Sequence, residues 1–577
     1  MSGNKQQLWT VVVFLLIAST LISACGTASG RGVTPGPTLA AATSATPTPE
    51  PTATASPTAP PSPIPSPTPW VYPLGRVQEI PSPDGRWTAV LNTKVGSLDL
   101  KGPGGEAFAV FPAGSTASDA LWSPDSRRLF VVRTNLRPSQ SGMIEGSVPI
   151  QLWQIRIQEN RPSVPALVFQ SPSKPQPSGT YTPEQIVFGR WSPNDRYLLF
   201  WQGISGPSFQ AGGLSLWALD VKTSKTTLLA DVALLNPGYQ SWAPDSSALA
   251  FTAGGNRSAQ VNKWLNLFNP ATGQVTTVVS KTEAIPGIVA WSPHGDLIAY
   301  AAVLASETSM DWADWMSFEN PAILKRRVYL LNPKTGEHWR LNSADAFQDA
   351  PTWSDDGKIL YYVQREGDSM VLMKANPYTG EGQVIEGTRR LAPRAVGYYG
   401  QSNWDDLLAY RPDAPRAAVP SFTGVYTDST VGYTLRYPEG WYVGQGWRYL
   451  LYECPQCRTF SPARLDEASP NFGPFSGKAF IAIQVIENPE ADLDAFLHQV
   501  LATAGPGQIL DRGALLIAFD QQELIVDGRP AVRLETMGEF GEVNHVLVVL
   551  EEKRALILQG QGDERVFDAI IGTLKLR

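Results

Sequence analysis

The chain has 577 residues, 43% of them hydrophobic, and its 46 basic and 53 acidic residues leave a net charge of -7 at pH 7. A chain of this length is too long to fold around a single hydrophobic core, so we expect one large and one medium domain besides any unstructured segment. The mild acidity excludes the clustered positive charge through which proteins bind nucleic acid.

The first residues have the pattern of an export signal. Lys5 supplies a positive charge, and the apolar stretch 8–22 is too short for a lasting membrane span. The tetrad at 22–25, Ile-Ser-Ala-Cys, resembles the lipobox of bacterial lipoproteins, which implies cleavage before Cys25 and acyl chains on that residue. A plain secretory signal with a chance cysteine is the alternative. We therefore expect residues 1–24 to be a signal peptide and the protein to be lipid-anchored to the outer face of the cell membrane.

A spacer follows the predicted anchor. Residues 34–69 alternate Pro, Thr, Ser and Ala, a composition that cannot bury a core and favours an extended, solvated chain. We assign 25–69 as the acylated cysteine and a disordered linker.

A short phrase then returns six times and predicts six hairpin corners. Pro sets φ for the first central position of a tight turn, Asp or Asn bonds the local backbone, and Gly or Ser closes the turn. An alternating apolar run follows each corner, and most units carry a second hairpin farther on, so one unit has about four strands. The corners are Ser82–Gly85, Trp122–Asp125, Trp191–Asn194, Trp242–Asp245, Trp291–His294 and Trp353–Asp356.

These corners resemble the Trp-Ser-Pro-Asp-Gly corners of TolB-type β-propellers. The resemblance implies a mainly β fold with a six-bladed propeller over residues 70–412. A degenerate corner at 403–406, followed by a strand at 407–410, is expected to close the ring by mating the two chain ends. A seven-bladed ring, completed by a strand after Trp70, is the alternative.

The longest insertion of the propeller, residues 306–326, contains a candidate ligand-binding set. Its two tryptophans are three residues apart and interleaved with carboxylates, as on one face of a helical turn. They could form an aromatic platform for a glycan or a peptide, or they could simply pack on a neighbouring blade or on the second domain. The set comprises Asp311, Trp312, Asp314 and Trp315.

A second domain is predicted at 421–577. Strands are expected at 432–441, 480–486, 531–535, 545–550 and 555–558, with a hairpin turn at Asp527-Gly528, a helix opened by Asn488 and a last helix burying Val566, Phe567, Ile570 and Ile571. Together with the phrase Tyr-Pro-x-x-Trp at 437–441, this order resembles the PsbP/Mog1-type domain. The resemblance implies a small α/β/α sandwich that binds partners.

Two cysteines in this domain, Cys454 and Cys457, are the candidate disulfide. Pro455 between them suggests a loop, and outside the membrane two nearby cysteines more often oxidise than bind metal. Free or redox-active thiols and a metal site are the alternatives. A zinc site would need further ligands that the sequence does not offer at suitable spacing, so we predict neither metal nor cofactor.

No catalytic residue is predicted. A serine peptidase would need a Gly-x-Ser-x-Gly elbow and its own large domain, and the chain has neither. We therefore expect a non-catalytic interaction platform for an envelope or exported protein. The alternatives are a receptor that captures a glycan or peptide at the propeller mouth and, less favoured, a redox enzyme that uses Cys454 and Cys457.

Overall fold

The structure is a computed structural model, and all of its described residues belong to one compact unit, Pro69–Arg577. The described ranges are 77–134, 136–138, 144–146, 148–158, 160–175, 177, 179, 181–182, 184–204, 213–255, 261–308, 321–392, 404–414, 421–449, 452–461, 480–487, 518–537, 543–551, 554–561 and 564–576.

Between Val77 and Leu391 the described residues form six antiparallel sheets that follow one another in chain order. Sheets 1 to 3 contain β1 (Val77–Pro81), β2 (Thr88–Asn92), β3 (Ser97–Lys101) and β4 (Ala107–Phe111); β5 (Ala117–Trp122), β6 (Arg128–Arg133), β9 (Gln151–Gln158), β10 (Arg161–Pro162) and β11 (Ala166–Gln170); and β12 (Glu184–Trp191), β13 (Tyr197–Ile204), β14 (Leu214–Asp220) and β15 (Lys225–Ala233). A separate hairpin of β7 (Leu136–Pro138) and β8 (Ile144–Gly146) lies between β6 and β9.

Sheets 4 to 6 repeat the same plan. They contain β16 (Gln240–Trp242), β17 (Leu249–Ala253), β18 (Trp264–Asn269) and β19 (Gln274–Val279); β20 (Ala284–Trp291), β21 (Ile298–Leu304), β22 (Arg327–Leu331) and β23 (His338–Arg340); and β24 (Gln348–Trp353), β25 (Leu360–Glu366), β26 (Ser369–Ala375), β27 (Gly382–Val384) and β28 (Arg390–Leu391). Two 3-10 turns, Pro237–Tyr239 and Ala305–Glu307, and a short helix, α1 (Pro321–Leu324), lie between strands.

The second strand of most sheets is buried on both faces, as its aromatic and branched residues predict. All five residues of β17 are buried, and the first six of β13 and β21 are as well. The fourth strands β19 and β23 are mostly exposed or half-exposed. Burial therefore falls from the second strand to the fourth, as it does from the centre to the rim of a propeller blade.

Five apolar clusters each join two successive sheets. Leu91 and Leu129 belong to the cluster between sheets 1 and 2, for example, and Leu330 and Leu360 to the one between sheets 5 and 6. Four-stranded sheets that pack face to face in series are the defining feature of a β-propeller, so the predicted propeller fold is confirmed. The choice between six and seven blades stays a prediction, because residues 70–76 and 393–403 lie outside the described ranges.

The predicted strand at 407–410 is wrong. The chain forms a short helix there, α2 (Asp405–Leu408), and places Trp404 and Leu407 in an apolar cluster on the sixth sheet. Trp404, Leu407 and Leu408 are spaced three and four residues apart, and this spacing puts all three on one side of a helical turn. The tryptophan of this degenerate corner therefore anchors a helix to the sheet and does not close a hairpin.

The C-terminal part of the chain forms two further antiparallel sheets. The smaller contains β29 (Gly424–Asp428), β30 (Tyr433–Tyr437) and β38 (Lys575–Leu576). The larger has the order β31-β32-β33-β37-β36-β35-β34. Its strands are β31 (Tyr442–Tyr449), β32 (Tyr452–Ser461), β33 (Phe480–Glu487), β34 (Ala518–Val526), β35 (Arg529–Met537), β36 (Val543–Glu551) and β37 (Arg554–Gln561).

Among the described residues of this part, helix α3 (Glu564–Ile571) packs on the larger sheet as predicted. It buries Val566, Phe567 and Ile570 in a core with residues of β36 and β37, and Ile571 is partly buried beside them. The predicted strands and the Asp527-Gly528 hairpin, whose first arm is the end of β34, are confirmed, whereas β29, β31 and β32 were not predicted. The helix predicted from Asn488 lies outside the described residues, and the PsbP/Mog1 resemblance and the domain limits stay predictions.

Candidate functional site

The antiparallel order divides the connections of each sheet between two ends. The connections from strand one to two and from strand three to four share one end, which we call the corner end. The connections from strand two to three, and those from one sheet to the next, share the other end, which we call the loop end. The two ends differ in construction.

At the corner end, all six predicted corners form the same turn. The amide of the fourth turn residue donates to the carbonyl of the first, for example Gly85 to Ser82 at 2.8 Å and Gly357 to Ser354 at 2.9 Å. That fourth residue has a positive φ in every corner, a conformation that Gly tolerates best. It is Gly85, Ser126, Asp195, Ser246, Gly295 and Gly357.

Successive corners also touch one another. The Asp84 amide of the first corner donates to Ser126 Oγ of the second at 3.0 Å, and the Asn194 amide of the third donates to Ser246 Oγ of the fourth, also at 3.0 Å. A Cβ added to Gly357 of the sixth corner would meet the ring of His294 in the fifth. His294 is thus a turn residue that packs on its neighbour. The corner end is consequently built of short turns that hold one another in place.

The corner carboxylates are structural. Hydrogen bonds from the Ser82 hydroxyl and the Arg86 amide lower the pKa of Asp84, and equivalent bonds from Ser354 and Lys358 lower the pKa of Asp356 to about 2. A carboxylate committed to its own turn in this way stays ionised and is a poor proton donor at neutral pH.

The loop end carries the long connections. Between strands two and three, sheets 2 to 5 insert residues 134–150, 205–213, 254–263 and 305–326. Sheets 1 and 6 instead have tight connections, at 93–96 and 367–368. The length variation of the propeller is therefore concentrated at one end, and binding residues are disproportionately found on such loops.

Large apolar side chains are exposed at the same end. Ile204 ends β13 with 64% of its surface exposed, and Leu304, at the equivalent end of β21, is also exposed. Val77 at the start of β1 and Val148 just before β9 are exposed too. The corner end also exposes apolar side chains: Val164, between β9 and β11, is 86% exposed, and the turn between β26 and β27 exposes Tyr378, whose hydroxyl donates to Asp296 at 2.7 Å.

Beneath this surface, buried polar groups fix the ends of the strands. The Glu184 carboxylate, at the start of β12, accepts hydrogen bonds from the Ser171 hydroxyl and the Gln202 amide, both at 2.7 Å, and from the Ser173 hydroxyl. These bonds tie the segment between sheets 2 and 3 to the loop end. A buried carboxylate that several donors satisfy in this way rigidifies its surroundings.

Further polar side chains are buried at the loop end of sheets 4, 5 and 6, namely Lys263, Arg326, Asp349 and Trp404. Arg326 donates to Asp349 Oδ2 at 2.8 Å, and Trp404 Nε1 lies 3.3 Å from the same oxygen. Burial and the nearby Arg326 charge lower the pKa of Lys263 to about 7. The sequence analysis did not single out Lys263, Arg326 or Asp349, because a lone charged residue at the start of a strand is usually solvated.

The predicted site residues fall largely outside the described ranges. This applies to Cys25 and to Asp311, Trp312, Asp314 and Trp315, so their roles stay predictions. Cys457 is fully buried and disulfide-bonded.

The two cysteines lie within β32, so the predicted loop is wrong. Between the paired residues Cys454 and Arg458 this strand has two residues more than its partner β31. β32 continues as a strand because it pairs with β31 on both sides of this bulge. Pro455, which cannot donate to a ladder, lies among the extra residues of the bulge. The side chain of Cys454 lies outside the described part, so its pairing with Cys457 stays a prediction.

In the described part of the chain, no group of three or more His, Cys, Asp or Glu side chains lies close enough together to hold a metal ion. Among the described helices, none combines the length and the apolar composition that crossing a membrane requires.

No family model and no curated protein matches the chain. Solved structures with similar folds include TolB from Acinetobacter baumannii, at 14% identity over 67% of this chain and 75% of that one, with a TM-score of 0.25. An oligogalacturonate lyase from Vibrio parahaemolyticus is 15% identical over 62% and 85%, with a TM-score of 0.28. The Dos1 propeller is 10% identical over 63% and 75%, with a TM-score of 0.30. These TM-scores are too low to bear on function.

Proposed function

We propose that this protein is a lipid-anchored, extracytoplasmic interaction platform without catalytic activity, and that the loop end of its propeller binds another envelope or exported protein. The observation that carries the proposal is the asymmetry of the propeller. The long connections lie at the loop end, whereas the corner end consists mainly of turns that bond to themselves and to each other.

The loop end has the construction of a protein-binding face. Exposed apolar residues such as Ile204 and Leu304 supply area that a partner can remove from water. The buried bonds of Glu184 and Asp349 hold the strands beneath them in fixed positions, which lowers the entropy lost on binding. Cys25 and the Pro-rich segment would hold this face away from the membrane.

Site-specific photo-cross-linking tests the proposal. A photoreactive phenylalanine analogue is placed at Ile204, at Leu304 and, as controls, at Leu228 on the outer strand β15 and at Tyr378 on the corner end. We expect Ile204 and Leu304 to give adducts with the same protein, in fixed stoichiometry, in intact cells. The proposal is wrong if the controls give that adduct equally, or if neither loop-end position gives one.

Substitution of the same positions by aspartate provides a second test, in which recovery of the partner is measured. Ile204→Asp and Leu304→Asp should each reduce recovery of that partner at least about tenfold, because a carboxylate would be buried in the interface. Leu228→Asp, a similarly exposed apolar position, should leave recovery unchanged. Capture of a glycan or peptide by Trp312 and Trp315 stays the competing prediction, and a glycan-array signal lost in Trp312→Ala would support it instead.

A further inference from the structure

A small cleft lies between sheets 3 and 4 at the corner end of the propeller. Its volume is about 50 Å³. A site that encloses a whole small molecule has roughly 300 to 1,000 Å³, so this cleft has room for one functional group of a larger ligand. Sheet 3 lines the cleft with Tyr197, Asp220, Lys225 and Thr227, and sheet 4 lines it with Phe268 and Ala271.

The cleft is open because one turn residue is small. Sheets 4, 5 and 6 share the turn Asn-Pro-x-Thr-Gly between their third and fourth strands, and its variable residue is Ala271, Lys334 and Tyr378 in turn. In sheet 6 the Tyr378 side chain reaches sheet 5, where its hydroxyl donates to Asp296 at 2.7 Å. The methyl group of Ala271 is too short to reach sheet 3 in the same way, so the corresponding space remains open.

The charged groups of the cleft leave one ammonium unpaired. Arg196 donates to Asp220 Oδ2 from Nη2 at 2.7 Å and from Nε at 3.2 Å, and the Lys222 amide donates to Oδ1 at 2.9 Å. These bonds occupy the Asp220 carboxylate. Lys225 lines the same cleft, and no carboxylate in the described part of the chain pairs with its ammonium. Arg196, Asp220 and Lys225 together carry a positive charge, which favours an anionic ligand.

Tyr197 supplies a hydroxyl group to the cleft. The residue is 7% exposed, its ring stacks on Trp242 with the ring centroids 5.7 Å apart, and the Arg196 guanidinium lies 5.2 Å from the ring centroid. Among the described residues the hydroxyl has no hydrogen-bond partner. Burial raises the pKa of Tyr197, so the hydroxyl keeps its proton at neutral pH and can donate it. A largely buried hydroxyl of this kind is satisfied by a ligand or by water.

We propose that this cleft binds a carboxylate group carried on a short apolar stem. Lys225 supplies the positive charge, Tyr197 a hydrogen-bond donor, and Phe268 an apolar wall. A hydrogen bond from an ammonium to a carboxylate is about twice as strong as one between neutral groups, so the charge selects the ligand. A peptide C-terminus and a free short-chain carboxylic acid both offer this group. The cleft lies at the corner end, and the proposal does not depend on the partner proposed for the loop end.

Saturation-transfer difference NMR with the full chain measures this binding on the signals of the ligand. The probes are propionate, N-acetylalanine and, as the uncharged control, N-acetylalaninamide. We expect both acids to bind, and the amide to bind at least about tenfold more weakly than N-acetylalanine because it lacks the charge. Tighter binding of N-acetylalanine than of propionate would identify a peptide C-terminus as the source of the carboxylate, and the reverse order would identify a free acid.

Variants then locate the binding. Ala271→Tyr copies the filled turn of sheet 6 and should abolish binding of both acids without removing a charge. Lys334→Tyr makes the same change in the turn of sheet 5 and should leave binding unchanged. Lys225→Met, a change of an exposed side chain, should weaken binding at least about tenfold even if Ala271→Tyr does not fold. The proposal is overturned if neither acid binds, if the amide binds as well as the acid, or if folded Ala271→Tyr or Lys225→Met binds as the unmodified protein does.

Discussion

The serine that opens five of the six corners makes hydrogen bonds beyond those of the turn itself. In the third corner, Ser192 Oγ accepts from the Tyr197 amide at 2.9 Å and donates to Asn194 Oδ1 at 2.8 Å. The fourth corner has Ala243 at this position and keeps the turn, with its amide 2.8 Å from the Ala248 carbonyl. The hydroxyl is therefore an addition to a turn whose geometry the backbone already sets.

This comparison predicts the effect of removing a corner serine. Ser192→Ala should lower the free energy of unfolding by about 1 to 2 kcal/mol, because the buried Tyr197 amide loses its partner. Ala243→Ser should leave stability unchanged or raise it by up to about 1 kcal/mol. Urea unfolding of the folded chain measures both, and a neutral Ser192→Ala would show that the hydroxyl contributes nothing.

At the scale of elements, one carboxylate fastens the last strand of the chain. Asp527, in the turn between β34 and β35, accepts from the Leu576 amide at 2.8 Å and from Lys575 Nζ at 3.1 Å. These bonds, led by the one from the Leu576 amide, lower the pKa of Asp527. The turn of the larger sheet thereby holds β38, which pairs with β30 of the smaller sheet.

We expect Asp527→Asn to loosen β38, because the amide keeps one acceptor and loses the charge that attracts Lys575. Carboxypeptidase should then remove the C-terminal residues several-fold faster than from the unmodified protein. A carboxylate with a lowered pKa stabilises the fold above its unfolded pKa of about 4. The rate at which carboxypeptidase digests the unmodified protein should therefore approach the rate for the variant as pH falls from about 4 downward. Equal rates at neutral pH would contradict the role of Asp527.

At the scale of the whole molecule, the proposed function depends on an anchor and a spacer that precede the propeller. The resemblance at Cys25 predicts a covalent anchor of acyl chains, and this anchor acts independently of the propeller. Two or more acyl chains hold a protein stably on a membrane, whereas a single chain does so reversibly.

Cys25→Ser should accordingly move the protein from the membrane fraction to the soluble extracytoplasmic fraction with its propeller intact. Ser29→Ala, a change just beyond the predicted cleavage site, should leave it in the membrane fraction. Fractionation followed by immunoblotting measures the distribution. Membrane retention of Cys25→Ser would show that something other than an acylated Cys25 holds the protein there.

The sequence alone determined the elements whose causes are local. Each corner follows from residues that set φ and close a turn, as Pro83 and Gly85 do, and the strands after the corners follow from alternating apolar residues. The same local rule misled at 404–410, where a corner-like phrase forms a helix because Trp404 and Leu407 gain more by packing on the sixth sheet. The irregular strand through Cys457 was missed because its pairing with β31 is not visible in the local pattern.

Only the tertiary structure decided which residues the propeller buries at its loop end. Arg326 and Asp349 belong to two different sheets and meet because those sheets pack in series. Periodicity describes which face of a strand is apolar, but it does not say that a charged residue just before a strand will be covered by its neighbours. The buried charges at the loop end therefore depend on how the sheets pack, whereas the corners depend on the local sequence.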